Sequence, residues 1–305
     1  MLGTSSFFSI IIPTYNRPQK LANCLEAITH LDYPQDCFEV IVVNDGGVTS
    51  LEEIAVQFQE DLNLTLLNQP RSGAAEARNI GAKQAQGEFL VFTDDDCLPD
   101  SNWLKTFALT LTASPNVLVG GRTINALPDN LYSTASQLLL DYVYLAYNSS
   151  LNNARFFTSN NIALATRKFQ SIGGFATNFK IASEDREFCQ RWLDREHKML
   201  YVPEAIINHS HFLTLTSFCQ QHFKYGRGAF YFYQTISNNN RSQPTLQDKS
   251  YYLRLLFYPF SQQKFFSASL LTGLFILSQC ATILGIFWQW YVQNKYIQIK
   301  NKLGN

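Results

Sequence analysis

Glu88-Phe89-Leu90-Val91-Phe92-Thr93-Asp94-Asp95-Asp96 (residues 88–96) is the stretch on which the reading of this chain turns. Its first part is a short apolar, aromatic run after Gly87, which reads as a buried strand. Three carboxylates then leave the carboxyl end of that strand, the end at which open α/β sheets bind ligands. Adjacent acids raise each other's pKa unless a cation lies among them, and hard oxygen donors at this density suit Mg²⁺ or Mn²⁺. The plain alternative is a solvated acidic turn. A second acidic pair, Glu184-Asp185, follows a glycine-aromatic segment, and the two clusters together point to a metal-dependent enzyme rather than a binding module.

Upstream of residue 88, apolar β-branched runs alternate with helical stripes. Residues 7–12 read as a first strand, stopped by Pro13, and residues 19–31 carry Leu21, Cys24, Leu25 and Ile28 at helical spacing. Residues 38–43 form a second strand ending in Asn44-Asp45-Gly46-Gly47, residues 51–59 a helix and residues 64–68 a third strand. An alanine-rich helix over 74–86 leads into the fourth strand, 89–93. This β-α-β-α-β-α-β order predicts a parallel, right-handed, Rossmann-like sheet.

The chain has 305 residues and no formal net charge, but the charge is unevenly spread. From Ala205 onward there are nine Lys/Arg (Lys224, Arg227, Arg241, Lys249, Arg254, Lys264, Lys295, Lys300, Lys302) against Asp248, so this part carries +8 and the first part −8. Such asymmetry points to an anionic surface, and the lack of a nucleic-acid motif favours lipid over DNA or RNA as that surface. Six cysteines without CxxC or zinc spacing read as reduced, mostly buried thiols of a cytoplasmic protein, and Met1 to Ser9 lacks the pattern of a signal peptide.

Groups suited to a nucleotide cluster at the ends of the first strands. Asp45 offers acceptors to a base or ribose; Pro13-Thr14-Tyr15-Asn16-Arg17 supplies a ring, an amide and a cation; Arg71 and Arg78 can balance phosphate. Taken singly each has a plain reading: Asn-Asp-Gly-Gly as a turn, Arg78 as a solvent-facing residue of its helix. No G-x-G-x-x-G follows a strand and no G-x-x-x-x-G-K-[ST] occurs, which removes support for dinucleotide and P-loop sites.

The order of motifs resembles family 2 glycosyltransferases. The stretches are Ile-Ile-Pro-Thr-Tyr-Asn-Arg-Pro (11–18), Val-Val-Asn-Asp-Gly-Gly (42–47), Arg-Ser-Gly-Ala-Ala-Glu-Ala-Arg-Asn (71–79), Phe-Thr-Asp-Asp-Asp-Cys-Leu-Pro (92–99) and Ser-Glu-Asp-Arg-Glu-Phe (183–188), within about residues 7–235. The resemblance implies a GT-A fold, a nucleoside-diphosphate sugar donor, a divalent metal and inversion at the anomeric carbon. By the same resemblance Thr14, Tyr15, Asp45 and Arg71 hold the nucleotide, with Pro13 and Arg17 beside them. Asp94 and Asp96 match the D-x-D, the first near the ribose and the last on Mn²⁺ or Mg²⁺, with Asp94 also a candidate ligand of that metal, and Asp185 matches the catalytic base. Asp95, Asn160, Asn161 and Glu184 are the candidates for contacts to the donor or acceptor sugar. For the asparagines, capping a turn is an equal reading, and for Glu184 a structural role. The chain lacks the Gln-x-x-Arg-Trp motif of processive synthases, since Phe188 stands three residues before Arg191-Trp192, so single-sugar transfer is expected.

Farther on, His209 and His211 alternate after an extended segment over 198–202, which puts both rings on one side and offers two further metal ligands; hydrogen-bonded packing is the alternative. His222, Lys224, Tyr225 and Arg227 around Gly226 and Gly228 read as a basic lid, a lipid-phosphate contact or a solvated turn. Residues 265–294 carry no charge, long enough to span a bilayer, yet both flanks are basic, which favours a hairpin or re-entrant element with both ends cytoplasmic. A span and a packed helix remain the alternatives. Residues 251–258 read as an in-plane amphipathic helix.

The expected architecture is therefore α/β with a C-terminal hydrophobic helical membrane-associating region: a catalytic domain over 1–235, a loop rich in Asn, Ser and Gln within 236–250, and membrane-associating helices over 251–305. The expected function is transfer of a sugar to a hydroxyl of a saccharide or lipid-linked acceptor, on the cytoplasmic side of the cell membrane and without nucleic-acid partners. The alternatives are a nucleotidyltransferase-like enzyme of the same fold, which needs a glycine-rich loop where Pro-Thr-Tyr-Asn-Arg stands, and a sugar-nucleotide-binding protein, which has no use for Asp185.

Overall fold

A computed structural model describes residues 6–238 and 248–303, with side chains as far as Lys295. The elements are β1 (Phe8–Thr14), α1 (Pro18–Thr29), β2 (Phe38–Asp45), α2 (Glu52–Phe58), β3 (Leu64–Gln69), α3 (Ala74–Gln84), β4 (Phe89–Thr93), β5 (Cys97–Pro99) and α4 (Trp103–Ala113). There follow β6 (Leu118–Asn125), α5 (Leu131–Tyr147), β7 (Asn161–Ala165), α6 (Thr166–Ile172), α7 (Glu184–Leu193), β8 (Met199–His209), α8 (Leu215–Asn238), α9 (Lys249–Gln262) and α10 (Phe265–Leu303).

One sheet runs in the order β3-β2-β1-β4-β7-β6-β8-β5. Strands β3, β2, β1 and β4 are mutually parallel, as their βαβα order requires. Beyond β4 the sheet is mixed: β7 runs antiparallel to β4 and β6, while β6 and β8 are parallel. Strands β1, β2 and β4 are buried along their whole length, which is why they read as largely apolar runs, with Ser9 and Glu39 as buried polar exceptions. On one face α1 seats Leu21, Cys24, Leu25 and Ile28; on the other α3 lies so close that a Cβ on Gly81 would stand 2.6 Å from Ile11.

Pro13 does not stop β1. The strand continues to Thr14 beside β2, but its pairing with β4 ends at Ile11↔Phe92, so Pro13 is flanked by one strand, where a residue without an N–H is tolerated. The strand order reverses between β1 and β4, the kind of switch point at whose carboxyl ends open α/β sheets bind ligands. Likewise β8 runs through Pro203 to His209, because the β6–β8 register jumps from Gly121↔Val202 to Arg122↔Ile206 and leaves residues 203–205 outside the ladder.

The chain packs as two units. The first contains residues up to Ala126, Tyr144–Lys180 and Glu184–His211; the second contains Leu127–Val143, Ile181–Ser183 and Phe212 onward. Within the second, Leu138, Leu139, Phe218, Leu255, Leu271 and Phe275 form a core shared by α5, α8, α9 and α10. Three expectations change here. His222 to Gly228 is neither a lid nor a turn but the interior of α8. Residues 265–294 neither re-enter nor form a hairpin, since α10 is one unbroken helix. The polar stretch begins later than Ser237, because α8 continues to Asn238; residues 239–247, with Arg241, lie outside the described residues, as do the side chains of Lys300 and Lys302. The thiols are free, but only Cys24, Cys97 and Cys189 are buried, and Cys280 is exposed.

Candidate active site

The acidic tripeptide forms a tight turn between β4 and β5, closed by the Cys97 N–H on the Asp94 carbonyl at 3.1 Å. Each carboxylate has its own partners. Asp94 accepts from Arg78 Nη2 at 2.7 Å. Asp95 accepts the Thr14 hydroxyl at 2.6 Å and pairs with Arg17 Nη2 at 2.8 Å. Asp96 receives Arg17 Nη1 at 2.9 Å and Lys20 Nζ at 3.1 Å on Oδ2, and faces His209 Nε2 at 3.3 Å on Oδ1, with His211 Nδ1 3.7 Å from Oδ2. The pairing Cys97↔His209 between β5 and β8 brings the histidines there, and the Ser210 N–H fixes the approach by donating to the Asp96 carbonyl at 2.7 Å.

These surroundings split two neighbouring carboxyls. Burial pushes Asp95 up to about 7, against the opposing pull of Arg17 and Thr14. Burial would raise Asp96 as well, but hydrogen bonds from His209 and His211 and the charges of His209 and Arg17 outweigh it and hold this group far below the usual carboxylate range. One ionised oxygen donor therefore stands beside two imidazoles. Single ligand atoms of Asp96, His209 and His211 all lie within 4.8 Å of one another, a spacing and donor set that fit one divalent cation, Mn²⁺ better than Mg²⁺ because of the imidazoles. Asp94 is not in that group, and its carboxylate is held by Arg78 instead.

Arg78 is a correction to the solvent-facing reading, being only 3% exposed. Its guanidinium bridges Asp94 and, at 3.1 Å, Glu184 Oε1. Glu184 and Asp185 open α7, and Ser183 before them has a left-handed backbone (φ 76°). Burial, and then the adjacent Glu184 charge, push the Asp185 carboxyl up to about 7, while the Arg186 N–H donates to it at 2.7 Å.

On the nucleotide side, Tyr15 is half-exposed and Arg71 stacks on its ring, 3.5 Å from the centroid. The Asp45 carboxylate is taken up by this chain's own donors: Gln69 Nε2 and the Ser72 N–H at 2.7 Å each, and the Gly73 N–H at 2.9 Å. It thereby shapes the loop that carries Arg71. Gly46 (φ 74°) is pressed against the backbone of Arg71, where a side chain would not fit.

Asn160 and Asn161 part company. Asn160 accepts from Thr158 at 2.7 Å and approaches the Cys97 sulfur. Asn161 is fully buried and turned into the core. Its amide donates to the carbonyls of Arg122 (3.0 Å) and Ala205 (3.1 Å), beside the β6–β8 irregularity, and accepts from Trp103 Nε1 (2.8 Å). Both of its amide N–H groups, and one lone pair of its oxygen, are thus engaged inside the protein. Lys20 and Ser210 were missed by sequence reasoning. The only signal for Lys20 is its place one helical turn after Arg17.

The profile of Glycosyl transferase family 2 matches residues 9–184, more than half of the chain. This protein belongs to that family. It is accordingly a nucleotide-sugar-dependent glycosyltransferase. Glycosyltransferase AglE of Haloferax volcanii is 29% identical over 209 residues, 68% of this chain and 67% of that protein. The Methanococcus voltae dolichyl N-acetyl-alpha-D-glucosaminyl phosphate 3-beta-D-2,3-diacetamido-2,3-dideoxy-beta-D-glucuronosyltransferase is 21% identical over 290 residues, 92% of this chain and 86% of its own. The solved mannosyltransferase PcManGT from Pyrobaculum calidifontis, in complex with GDP-Man and Mn²⁺, superimposes with a TM-score of 0.68 at 19% identity, covering 95% of this chain and 88% of that one. The GT-A fold expected from the motifs is the fold of this glycosyltransferase.

Proposed function

We propose that this glycosyltransferase works with inversion, with a divalent cation on Asp96, His209 and His211, and passes one sugar to a hydroxyl of a saccharide or lipid-linked acceptor at the cytoplasmic face of a membrane. The observation that carries this reading is the Arg78 fork, which ties Glu184, the neighbour of the proposed base, to Asp94 beside the proposed donor site. Inversion requires the acceptor oxygen to attack opposite the leaving diphosphate, so the base and the donor acids must be held in fixed relation. Asp185 takes the hydroxyl proton on Oδ1 or Oδ2. Its high proton affinity for a carboxyl makes that transfer less uphill than it would be to an ordinary aspartate. Tyr15 and Arg71 receive the nucleotide, and Asp45 keeps their loop in place. When bound, the cation supplies positive charge to the departing diphosphate. The Methanococcus voltae relative, whose name specifies a dolichyl N-acetyl-alpha-D-glucosaminyl phosphate, supports a lipid-linked acceptor, and the basic, apolar C-terminal helices support work at a membrane. Release of nucleoside diphosphate from a panel of sugar donors, with and without polyprenyl-phosphate sugars, tests the assignment; donor turnover indifferent to every acceptor would argue against it.

A pH dependence follows. Asp185 must be ionised to act, and its folded pKa lies near 7, above the usual carboxylate range. Activity as kcat/KM is expected to fall about tenfold per pH unit below that value and to level off above it. A limb near pH 4 would remove Asp185 as the base. The residual activity of Asp185→Asn should lack the limb.

Lys20 gives a second expectation. Its ammonium stands on the same Asp96 oxygen that a cation needs, and it also donates to the Ser210 carbonyl at 3.2 Å, between the two histidines. Lys20→Met is expected to tighten Mn²⁺ binding by about tenfold, a modest effect because a partly exposed lysine can swing into water. Paramagnetic-resonance titration of free Mn²⁺ reads this directly, and unchanged or weaker binding would refute it.

A further inference from the structure

We propose that α10 lies flat in the surface of an anionic membrane, with α8 on its water side, and does not cross the bilayer. The inference rests on the membrane association proposed above. Within Phe265–Lys295 the residues reach a mean hydropathy of 2.0 over an 18-residue stretch, enough for a span by composition. At 1.5 Å per residue they extend about 46 Å, well beyond a hydrocarbon core of about 30 Å.

What argues against crossing is the company α10 keeps. A stripe of Ala268, Leu271, Phe275, Ser278, Ala281 and Gln289 is buried at helical spacing. Along α8 the two backbones come into contact: the Thr282 carbonyl fills the space a side chain on Gly226 would take, and the Phe223 carbonyl that of Gly285. Thr282 Oγ1 donates to the His222 carbonyl at 3.3 Å. Arg227 Nε donates to Gln289 Oε1 at 2.9 Å, and Gln289 Nε2 donates to Tyr231 at 2.7 Å. Residue numbers rise together on both helices, so they run side by side in the same direction.

Lys224 is exposed on α8 at the level of Thr282 and Gly285, past the midpoint of the apolar stretch by only a few residues. A crossing α10 would carry that ammonium, and the Arg227 guanidinium whose Nε is bonded to a neutral amide, deep into hydrocarbon. A charge near the bilayer centre is costly unless it is paired or reaches water. Lying flat, the same helix pair divides its surfaces without conflict. The face of α10 away from α8 exposes Phe266, Leu270, Ile283, Leu284, Phe287 and Trp288, while α8 shows Gln220 and Lys224 to water. Aromatic and aliphatic side chains of this kind suit the boundary between headgroups and acyl chains. Lys264 and Lys295 are exposed at the two ends of the apolar segment, where both can meet anionic headgroups; a span would carry one of them across, against the positive-inside tendency.

The native Cys280, exposed at the centre of the segment Phe265–Lys295, makes the test direct. In the full chain with Cys37→Ser and Cys219→Ser, a nitroxide is placed on Cys280 or, in a Cys280→Ser background, on Phe266→Cys or Trp288→Cys. Depth is read by oxygen against nickel-chelate accessibility in phosphatidylcholine/phosphatidylglycerol vesicles. The expected result is one shallow depth for all three sites, about 5–10 Å below the phosphates. Cys280 at mid-plane with shallow flanking sites would mean a span and overturn the flat orientation while leaving membrane association intact. Failure to float with vesicles, together with a dimer in light scattering, would show that a second copy covers this face and would overturn both. Neither outcome touches the assignment of glycosyl transfer.

Discussion

Replacement of Asp96 by alanine is expected to lower sugar transfer by at least about 10³-fold and to abolish saturable Mn²⁺ binding, the largest effect anticipated for any single side chain. Asp96 is the one carboxylate in the group with His209 and His211, and its surroundings keep it ionised under all ordinary conditions. Its removal also leaves Arg17 and Lys20 without the oxygen they share. The alanine variant therefore needs a thermal melt beside it, and Asp96→Asn serves as a second form that keeps the shape while losing the charge. If wild-type enzyme retained full activity in excess chelator, the cation would have no part in turnover.

Asp185→Asn is the second large effect. The amide keeps the volume and can still accept from the Arg186 N–H, but it cannot take the acceptor proton. Transfer should fall by about 10²–10⁴-fold while donor affinity stays near that of the parent. This split separates chemistry from binding: a rise in donor KM with unchanged kcat would make Asp185 a binding residue, and a near-normal rate would move the base elsewhere. Glu184 is the obvious substitute, but Arg78 already engages it.

Sequence by itself determined the parallel half of the sheet, from β1 to β4, and the helical stripe of α1. It also placed the acidic tripeptide at a strand's carboxyl end, whereas the start of a helix at Glu184 was not read from it. The elements it placed are legible because strand and helix periods, and the residues that end them, are local properties of the chain. Even Pro13 misled by only two residues, since what tolerates it is the absence of a neighbouring strand.

Register and partners were decided only in three dimensions. The β5–β8 pairing, with Cys97 opposite His209, joins the acidic turn to histidines more than a hundred residues away. The jump in register between β6 and β8 places two carbonyls by Asn161 and makes a structural clamp of a residue whose type suits a sugar equally well. Arg78 points inward because two carboxylates wait there, a fact that no helical period encodes. The apolar run over 265–294 specifies a helix, but whether that helix meets lipid on one face or all round depends on α8, whose Gly226 admits its backbone and whose Lys224 resists the hydrocarbon. A sequence pattern states what a segment can bury; the tertiary structure decides against what, because burial is a property of the pair.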